Sequence, residues 1–315
     1  MRRAGVLSLL VLFACTTHPA AAPTSSPTPT PTPTPTISPS PSPIAPAFSA
    51  INAVTTIREL VTRAPYREAA SAAYRVAAGI MRDHFKMLGY TVAYLSFPVP
   101  AGNVNKIPEK AGTSIDVVAT PPGFDARKPH LVVGGHLDTV PNTPGANDDA
   151  SGPAVILELA RLARLTPTKM PVVFVAFGAE ERRRQSPTQS EYALGSKAYL
   201  NSLAPAERRS LRGMINIDMV GAGPDVQIIG TTGSIVASMY TVARRLHILA
   251  ETHATISQGF SDHITFQAAG IPAAWLWAGD NPTLHTPRDT MRIIQPAEVA
   301  RIGAVAWETL RTLSL

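Results

Sequence analysis

Cysteine is almost absent from this chain, and aromatic and charged residues are sparse. The one cysteine, Cys15, excludes a disulfide within a single chain and leaves the rest of the sequence without a thiolate ligand for a metal. Aromatic residues make up 6% of the sequence and charged residues 16%. A nucleic-acid-binding surface combines clustered basic residues with aromatic ones, so this composition argues against a nucleic-acid partner.

The positive charge of the chain is spread along the sequence. The 28 basic and 22 acidic residues give a formal net charge of +6, and the dense basic run at residues 182–184 lies in a predicted loop. The sequence therefore predicts no nucleic-acid partner, and it identifies no protein partner.

The first 15 residues are typical of an export signal. Arg2 and Arg3 supply positive charge, and the apolar stretch at residues 4–14 is too short to span a bilayer as a helix. Cys15 directly follows a Leu-Phe-Ala sequence that resembles the lipobox of bacterial lipoproteins, in which the cysteine is lipidated. We therefore expect residues 1–15 to be a signal peptide and Cys15 to anchor the exported protein to the cell membrane. The alternative is secretion after an ordinary signal peptide.

Residues 16–48 are rich in proline, threonine and serine and have no apolar periodicity. Such a segment cannot bury a core, so we expect a disordered linker. An extended proline-rich chain rises by about 3.1 Å per residue, which gives this linker a reach of roughly 100 Å. It would hold the domain predicted for residues 49–315 away from a membrane surface.

Residues 49–315 alternate between predicted strands and helices, with no internal repeat. The strands are predicted over residues 91–99, 114–119, 131–134, 172–177, 214–217 and 273–277, and the helices as a pair within 51–88 and over 153–165, 192–203, 235–249 and 296–313. This alternation predicts a single α/β domain with a mixed, mostly parallel sheet between helices.

Histidine and carboxylate side chains follow the central predicted strands. They are His136 and Asp138 after residues 131–134, Glu180 and Glu181 after 172–177, Asp218 after 214–217, and His285 after 273–277. In open α/β sheets, functional sites lie at the carboxyl ends of the strands. We therefore expect these side chains to converge although they are far apart in sequence.

The loop at residues 145–152, G-A-N-D-D-A-S-G, adds two adjacent carboxylates, Asp148 and Asp149, before the helix predicted from Pro153. Its flanking glycines allow tight turns, and Asp149 or Ser151 is the expected N-cap. One carboxylate can bridge two metal ions. Histidines and carboxylates without thiolates favour zinc, because zinc accepts imidazole nitrogen and carboxylate oxygen.

Six short motifs, in order along the chain, resemble those of the co-catalytic zinc aminopeptidases, metallopeptidase family twenty-eight. They are G-H-L-D at 135–138, G-A-N-D-D-A-S-G at 145–152, G-A-E-E at 178–181, I-D-M-V-G at 217–221, S-D-H at 261–263 with Phe266, and H-T-P-R-D-T at 285–290. The resemblance covers residues 51–313. It implies the three-layer fold of the zinc aminopeptidase and phosphorylase-hydrolase type.

Position by position, the resemblance implies a site with two zinc ions. The implied ligands are His136 and Asp218 for one ion, Glu181 and His285 for the other, and a bridging Asp148 carboxylate. In the implied reaction, a zinc-bridging hydroxide hydrolyses the N-terminal peptide bond of a peptide, with Glu180 as general base. Asp138 would orient the His136 imidazole, and Asp289 would act similarly on His285.

The sequence departs from the family pattern in two places. Leu284 stands where some secreted relatives have a tyrosine that stabilises the oxyanion, and residues 182–191 form a longer polar stretch that could line the cleft. A similar stretch occurs in glutaminyl cyclases, which use one zinc ion, so such an acyltransferase is the closest alternative. A carboxypeptidase-type relative and a catalytically silent binding lipoprotein are further alternatives.

Other polar and aromatic residues are weaker candidates. We expect His263, in the S-D-H motif, to make a structural hydrogen bond and not to bind zinc. Four aromatic residues could line a pocket for the first side chain of the substrate, but aromatic residues on strands usually pack in cores. They are Phe260, Phe266, Trp275 and Trp277.

Overall fold

The computed structural model describes residues 46–183, 191–231, 233–254 and 260–313. The predicted signal peptide and residues 16–45 of the predicted linker lie outside these ranges, so both stay predictions. Within the described ranges, no helix has the length and apolar character needed to cross a bilayer. The last linker residues contact the domain: the Pro46 carbonyl accepts a hydrogen bond from Trp307, and Phe48 packs closely against Gly303.

The described residues form eight helices and ten strands. The helices are α1 (Ala50–Arg63), α2 (Ala72–Met87), α3 (Ser151–Leu165), α4 (Leu194–Ser202), α5 (Pro205–Ser210), α6 (Ser234–Arg245), α7 (His263–Ala268) and α8 (Pro296–Thr312). The strands are β1 (Thr91–Val99), β2 (Gly102–Val104), β3 (Ile107–Glu109), β4 (Gly112–Thr120), β5 (His130–His136), β6 (Val172–Phe177), β7 (Leu211–Ile217), β8 (Val226–Ile229), β9 (Ala250–His253) and β10 (Ala273–Trp277).

Eight of the strands form one sheet in the order β1-β4-β6-β5-β7-β10-β8-β9. The four central strands, from β6 to β10, are parallel to one another, while β1, β4 and β8 pair antiparallel with their inner neighbours. Every residue of β5, β6 and β10 is buried, as expected for apolar strands covered on both faces. The predicted mixed, mostly parallel sheet is confirmed.

Helices cover both faces of the sheet and make three layers. On one face, α1, α2, α3, α6 and α8 pack on one large apolar core that includes Phe85, Phe174 and Trp307. On the other face, α4 and α7 enclose a smaller core, where Phe177, Tyr199 and Phe266 contact one another. The predicted three-layer α/β fold is therefore also confirmed.

Local backbone geometry moved several predicted boundaries. The helix predicted from residue 153 begins at Ser151 with Ala150 at its N-cap, and the Asp149 carboxylate accepts a hydrogen bond from the Gly152 N–H. The helix predicted from residue 192 begins at Leu194, because Ala193 is left-handed with φ 51°.

The helix predicted to reach residue 249 instead ends at Arg245. His247 adopts a positive φ of 57° just beyond it, and the edge strand β9 follows. Short elements such as the β2–β3 pair, at three residues per strand, carried no sequence pattern.

Candidate active site

The predicted ligands converge at the carboxyl ends of the central strands. His136 is the last residue of β5, Asp218 follows β7 directly, and Glu180 and Glu181 lie in the loop after β6. Asp148 enters from the loop before α3, and His285 from the segment between β10 and α8. The parallel centre of the sheet therefore brings together side chains that lie as far apart in sequence as His136 and His285.

The Asp148 carboxylate lies between the two histidines. Its Oδ1 is 3.1 Å from Nε2 of His136, and its Oδ2 is 3.1 Å from Nε2 of His285. Each histidine has a second carboxylate beside the same nitrogen: Asp218 is 3.5 Å from His136, and Glu181 is 3.3 Å from His285. The five side chains thus form two groups of imidazole and carboxylate that share Asp148.

The donor chemistry of these two groups fits divalent cations. The carbonyl of Asp138 can only accept, so Nδ1 of His136 donates to it at 3.1 Å, and Nε2 faces Asp148 and Asp218. Oδ1 of Asp218 is buried and accepts no hydrogen bond from the described residues. Buried imidazole and carboxylate atoms in this arrangement are suitable ligands for zinc.

The site has an excess of negative charge, which shifts the pKa values of both histidines. Burial lowers the pKa of His136, but the charge of Asp218 and hydrogen bonds to nearby carboxylates outweigh burial and raise it well above its ordinary value. Glu181, helped by Asp148, raises the pKa of His285 to about 12. A site that holds protons this strongly also attracts metal cations, which compete with protons for the same atoms.

Glu180 lies in the same cavity and is 7% exposed. Burial raises the pKa of its carboxyl group well above the ordinary value, and the neighbouring charge of Glu181 raises it further. A carboxylate with a raised pKa is a stronger proton acceptor than an ordinary one, as general-base catalysis requires.

Asp138 contacts the predicted ligand and also holds the loop that carries the predicted base. Its Oδ1 is 3.5 Å from Nδ1 of His136, so it lies beside that ring as expected. The same carboxylate accepts hydrogen bonds from the N–H groups of Glu180 and Glu181, at 3.1 and 3.3 Å. Asp138 therefore couples the end of β5 to the loop after β6.

Asp289 makes no hydrogen bond or ion pair with the His285 ring, contrary to the role suggested for it from sequence. Its two carboxylate oxygens accept hydrogen bonds from the N–H groups of Asn147 and Asp148, at 2.7 and 2.9 Å. Because Asp289 is four residues after His285, its carboxylate connects the His285 segment to the loop of Asp148.

Arg67 is a residue of the site that sequence reasoning missed. It lies in the segment between α1 and α2 and is fully buried. Its guanidinium donates to the carbonyls of Leu137, Pro144 and Gly145, at 2.7 to 2.8 Å. It therefore joins the loop after His136 to the loop before Asp148, and an arginine between two helices gives no sequence signal of such a role.

A cleft of about 1190 Å³ opens over these groups. Trp275 and Trp277 line it from buried positions, and Phe260 lies at its edge with 54% exposure. Phe266 is fully buried in the smaller core and lines no part of the cleft. The expectation of core packing is confirmed for Phe266, and also for Trp275 and Trp277, which belong to a buried apolar cluster and line the cleft as well. Phe260 is exposed and only lines the cleft.

His263 packs behind the cleft, where its ring contacts Trp275 with a centroid distance of 5.4 Å. Its Nδ1 accepts or donates no hydrogen bond within the described part of the chain, so the expected structural hydrogen bond is not seen at that atom. Burial lowers the pKa of His263 to about 4, which keeps the ring neutral.

A family model described as Peptidase family M28 matches residues 116–310, more than half of the chain. The chain belongs to peptidase family M28. Aminopeptidase YwaD of Bacillus subtilis is 31% identical over 206 residues, which cover 61% of this chain and 43% of that protein. Leupeptin-inactivating enzyme 1 of Streptomyces exfoliatus is 30% identical over 216 residues, which cover 67% of this chain and 44% of that protein. The chain spans less than half the length of both relatives.

The three-layer fold is also that of solved structures. A zinc aminopeptidase from Bacillus subtilis superposes with a TM-score of 0.73, covering 86% of this chain and 98% of that chain at 20% identity. The proposed metal ligands and Glu180 all lie inside the range that matches the family model, whereas Arg67 lies before it. The support that Arg67 gives to the site therefore had to be found from the structure.

Proposed function

We propose that this chain is a zinc-dependent aminopeptidase that hydrolyses the N-terminal peptide bond of peptides. Membership of the M28 family supports a peptidase, and relatives of this family are named aminopeptidases. The observation that carries the proposal is the position of Asp148, whose two oxygens face two different histidines at equal distances of 3.1 Å. This arrangement favours two ions that share one carboxylate.

The distances between the five side chains suggest how they would divide between two ions. His136 and Asp218 would hold one ion and Glu181 and His285 the other, with Asp148 shared. When bound, the zinc ions supply Lewis-acid activation of the peptide carbonyl and of a water molecule.

Glu180 would move the proton that the reaction must transfer. Its carboxylate accepts a proton from water as the water oxygen attacks the peptide carbonyl carbon. It then delivers that proton to the amine as the carbon–nitrogen bond breaks. The raised pKa of Glu180 supports this role, because the carboxyl group must hold the proton between the two steps.

The negative charge of the cleft favours a substrate with a free amino group. Glu180 and Asp218 line the cleft and would complement an ammonium group. Peptides with an acetylated N-terminus should therefore be poor substrates, which would distinguish an aminopeptidase from an endopeptidase.

We also propose that the protein is exported and anchored through a lipid on Cys15, with residues 16–45 as a spacer. The composition of the first 45 residues supports this proposal. Radiolabelled palmitate should be incorporated by the full chain and not by Cys15→Ser, which should be released into the medium. Equal labelling of both proteins would contradict an anchor at this residue.

The proposed activity is tested with the full chain on a panel of aminoacyl amides, N-acetylated controls and an N-terminal glutaminyl peptide, alongside zinc analysis. We expect two zinc ions per chain and hydrolysis of the free aminoacyl amides. Glu180→Gln should keep both ions and lose about 10²- to 10⁴-fold in kcat, the contribution of a well-placed general base. One zinc ion with a pyroglutamate product would indicate a glutaminyl cyclase, and zinc binding without any turnover would indicate a binding protein.

A further inference from the structure

A small β-hairpin forms one wall of the cleft. It consists of β2 and β3, joined by Asn105 and Lys106, which both have positive φ, 48° and 67°. Two consecutive left-handed residues are typical of the type I′ turn that matches the twist of paired strands. Asn103, Val104 and Asn105 line the cleft, so this hairpin faces the site directly.

The base of the hairpin is fixed to the loop that carries Glu181. Arg183, two residues beyond Glu181, is buried, and its guanidinium donates to the carbonyls of Pro100 and Lys110 and to the carboxylate of Glu109. Gly102 lies against the Arg183 carbonyl with no room for a Cβ atom. One end of the hairpin therefore cannot move without the loop of Glu181.

The tip of the hairpin contacts the segment of His285. The side-chain amide of Asn105 donates a hydrogen bond to the backbone carbonyl of His285 at 3.1 Å. His285 needs such support, because its side chain is 38% exposed and its backbone is left-handed with φ 55°. The side chains of His136 and Asp148, in comparison, are at most 5% exposed.

We infer that Asn105 is a positioning residue for the ion held by Glu181 and His285. This inference rests on the proposed function. The hairpin is attached to the Glu181 loop at its base and to the His285 backbone at its tip, so it sets the separation of these two ligands. Asn105 would act on that ion through the backbone of His285, to which its side chain donates.

The test is a zinc titration of the full chain against a competing chelator, for wild type, Asn105→Gly and Lys106→Gly. Glycine adopts the left-handed conformation without steric cost, so both substitutions preserve the turn. Lys106→Gly is the matched control, because it changes the other tip residue, which makes no described contact with His285. His285→Ala identifies which of the two ions is affected.

Asn105→Gly should lower the affinity for one zinc ion by about 10-fold, which is a usual effect of removing a group that hydrogen-bonds to a metal ligand. The affected ion should be the one that His285→Ala loses, and the affinity for the other ion should be unchanged. Without metal, Asn105→Gly and Lys106→Gly should have the same melting temperature. If Asn105→Gly binds both ions as wild type does, or if Lys106→Gly weakens the same ion equally, the inference is wrong. Failure of wild type to bind two ions would instead overturn the proposed function.

Discussion

The two sides of the candidate metal centre are supported in different ways. On the buried side, His136 ends one central strand and Asp218 follows another, and their side chains are 2% and 6% exposed. On the open side, Glu181 and His285 lie in loops, and the His285 side chain is 38% exposed. The sheet itself positions the buried side, whereas the open side depends on individual side-chain contacts. Substitutions on the buried side should therefore mainly lower stability, whereas substitutions on the open side should mainly lower metal affinity.

Further contacts reinforce the buried side. Ser261 donates to Oδ2 of Asp218 at 2.5 Å, and Oδ1 of Asn147 accepts from the N–H groups of Gly221 and Ala222. Trp275 donates its indole N–H to the carbonyl of Asp218 at 3.0 Å. Because these groups are buried, loss of one leaves a polar atom unpaired and costs stability.

Removal of Arg67 is the strongest test of the buried side. Arg67→Met removes the side-chain donor of three buried carbonyl oxygens, and those of Leu137 and Pro144 have no other donor among the described residues. It also removes a positive charge from among four carboxylates, so we expect a loss of about 3 to 5 kcal/mol in the free energy of unfolding. Urea denaturation measures this loss. Arg63→Met removes an exposed arginine that pairs with Glu59 on α1, and should cost less than about 1 kcal/mol. Equal losses in the two variants would show that the buried side does not depend on Arg67.

Unfolding at acidic pH tests whether the His263 ring is shielded from water. The pKa of His263 is lowered to about 4 by burial, so the unfolded chain takes up its proton at a higher pH than the folded protein does. The resulting loss of unfolding free energy is zero well above pH 6.5 and grows as the pH falls through 6.5. It reaches about 3 kcal/mol below pH 4.

His263→Gln should therefore flatten the dependence of unfolding free energy on pH between neutral and pH 4, relative to wild type. Chemical denaturation at a series of pH values measures that difference. The exposed His247, changed to asparagine, is the control and should leave the slope as in wild type. Identical slopes for His263→Gln and wild type would mean that the ring is solvated.

Asp289 connects the two sides, and its substitution should have the smallest effect of the three. Asp289→Asn keeps one oxygen acceptor and loses the other, so the N–H group of either Asn147 or Asp148 loses its partner. Because Asp148 would be shared by the two proposed ions, the affinity for both should fall by about 10-fold, whereas Asn105→Gly should lower the affinity for one. Chelator competition measures both affinities, with the exposed Asp225→Asn as control. Weakening of one ion alone would mean that Asp289 supports only the open side.

Much of the architecture was predictable because the central strands are unusually clear. Val172–Phe177 is a continuous apolar run that became β6 with the predicted bounds, and Ala273–Trp277 became β10 in the same way. The five proposed ligands were found because they follow such strands or stand in motifs that resemble those of the zinc aminopeptidases. The β2–β3 hairpin was missed because three-residue strands give no periodicity, and its role depends on contacts with residues 74 and 180 positions away.

The sequence by itself determined the α/β class, with a mostly parallel sheet between helices, and the residues that could bind metal, because apolar periodicity and residue type are local properties of the chain. Only the tertiary structure decided how the two oxygens of Asp148 divide between two histidines, and that Asp289 holds the Asp148 loop instead of the His285 ring. It also decided which groups Arg67 and Asn105 contact, because both side chains donate hydrogen bonds to backbone carbonyls. Any residue can supply a carbonyl, so no sequence pattern identifies such a contact before the chain has folded.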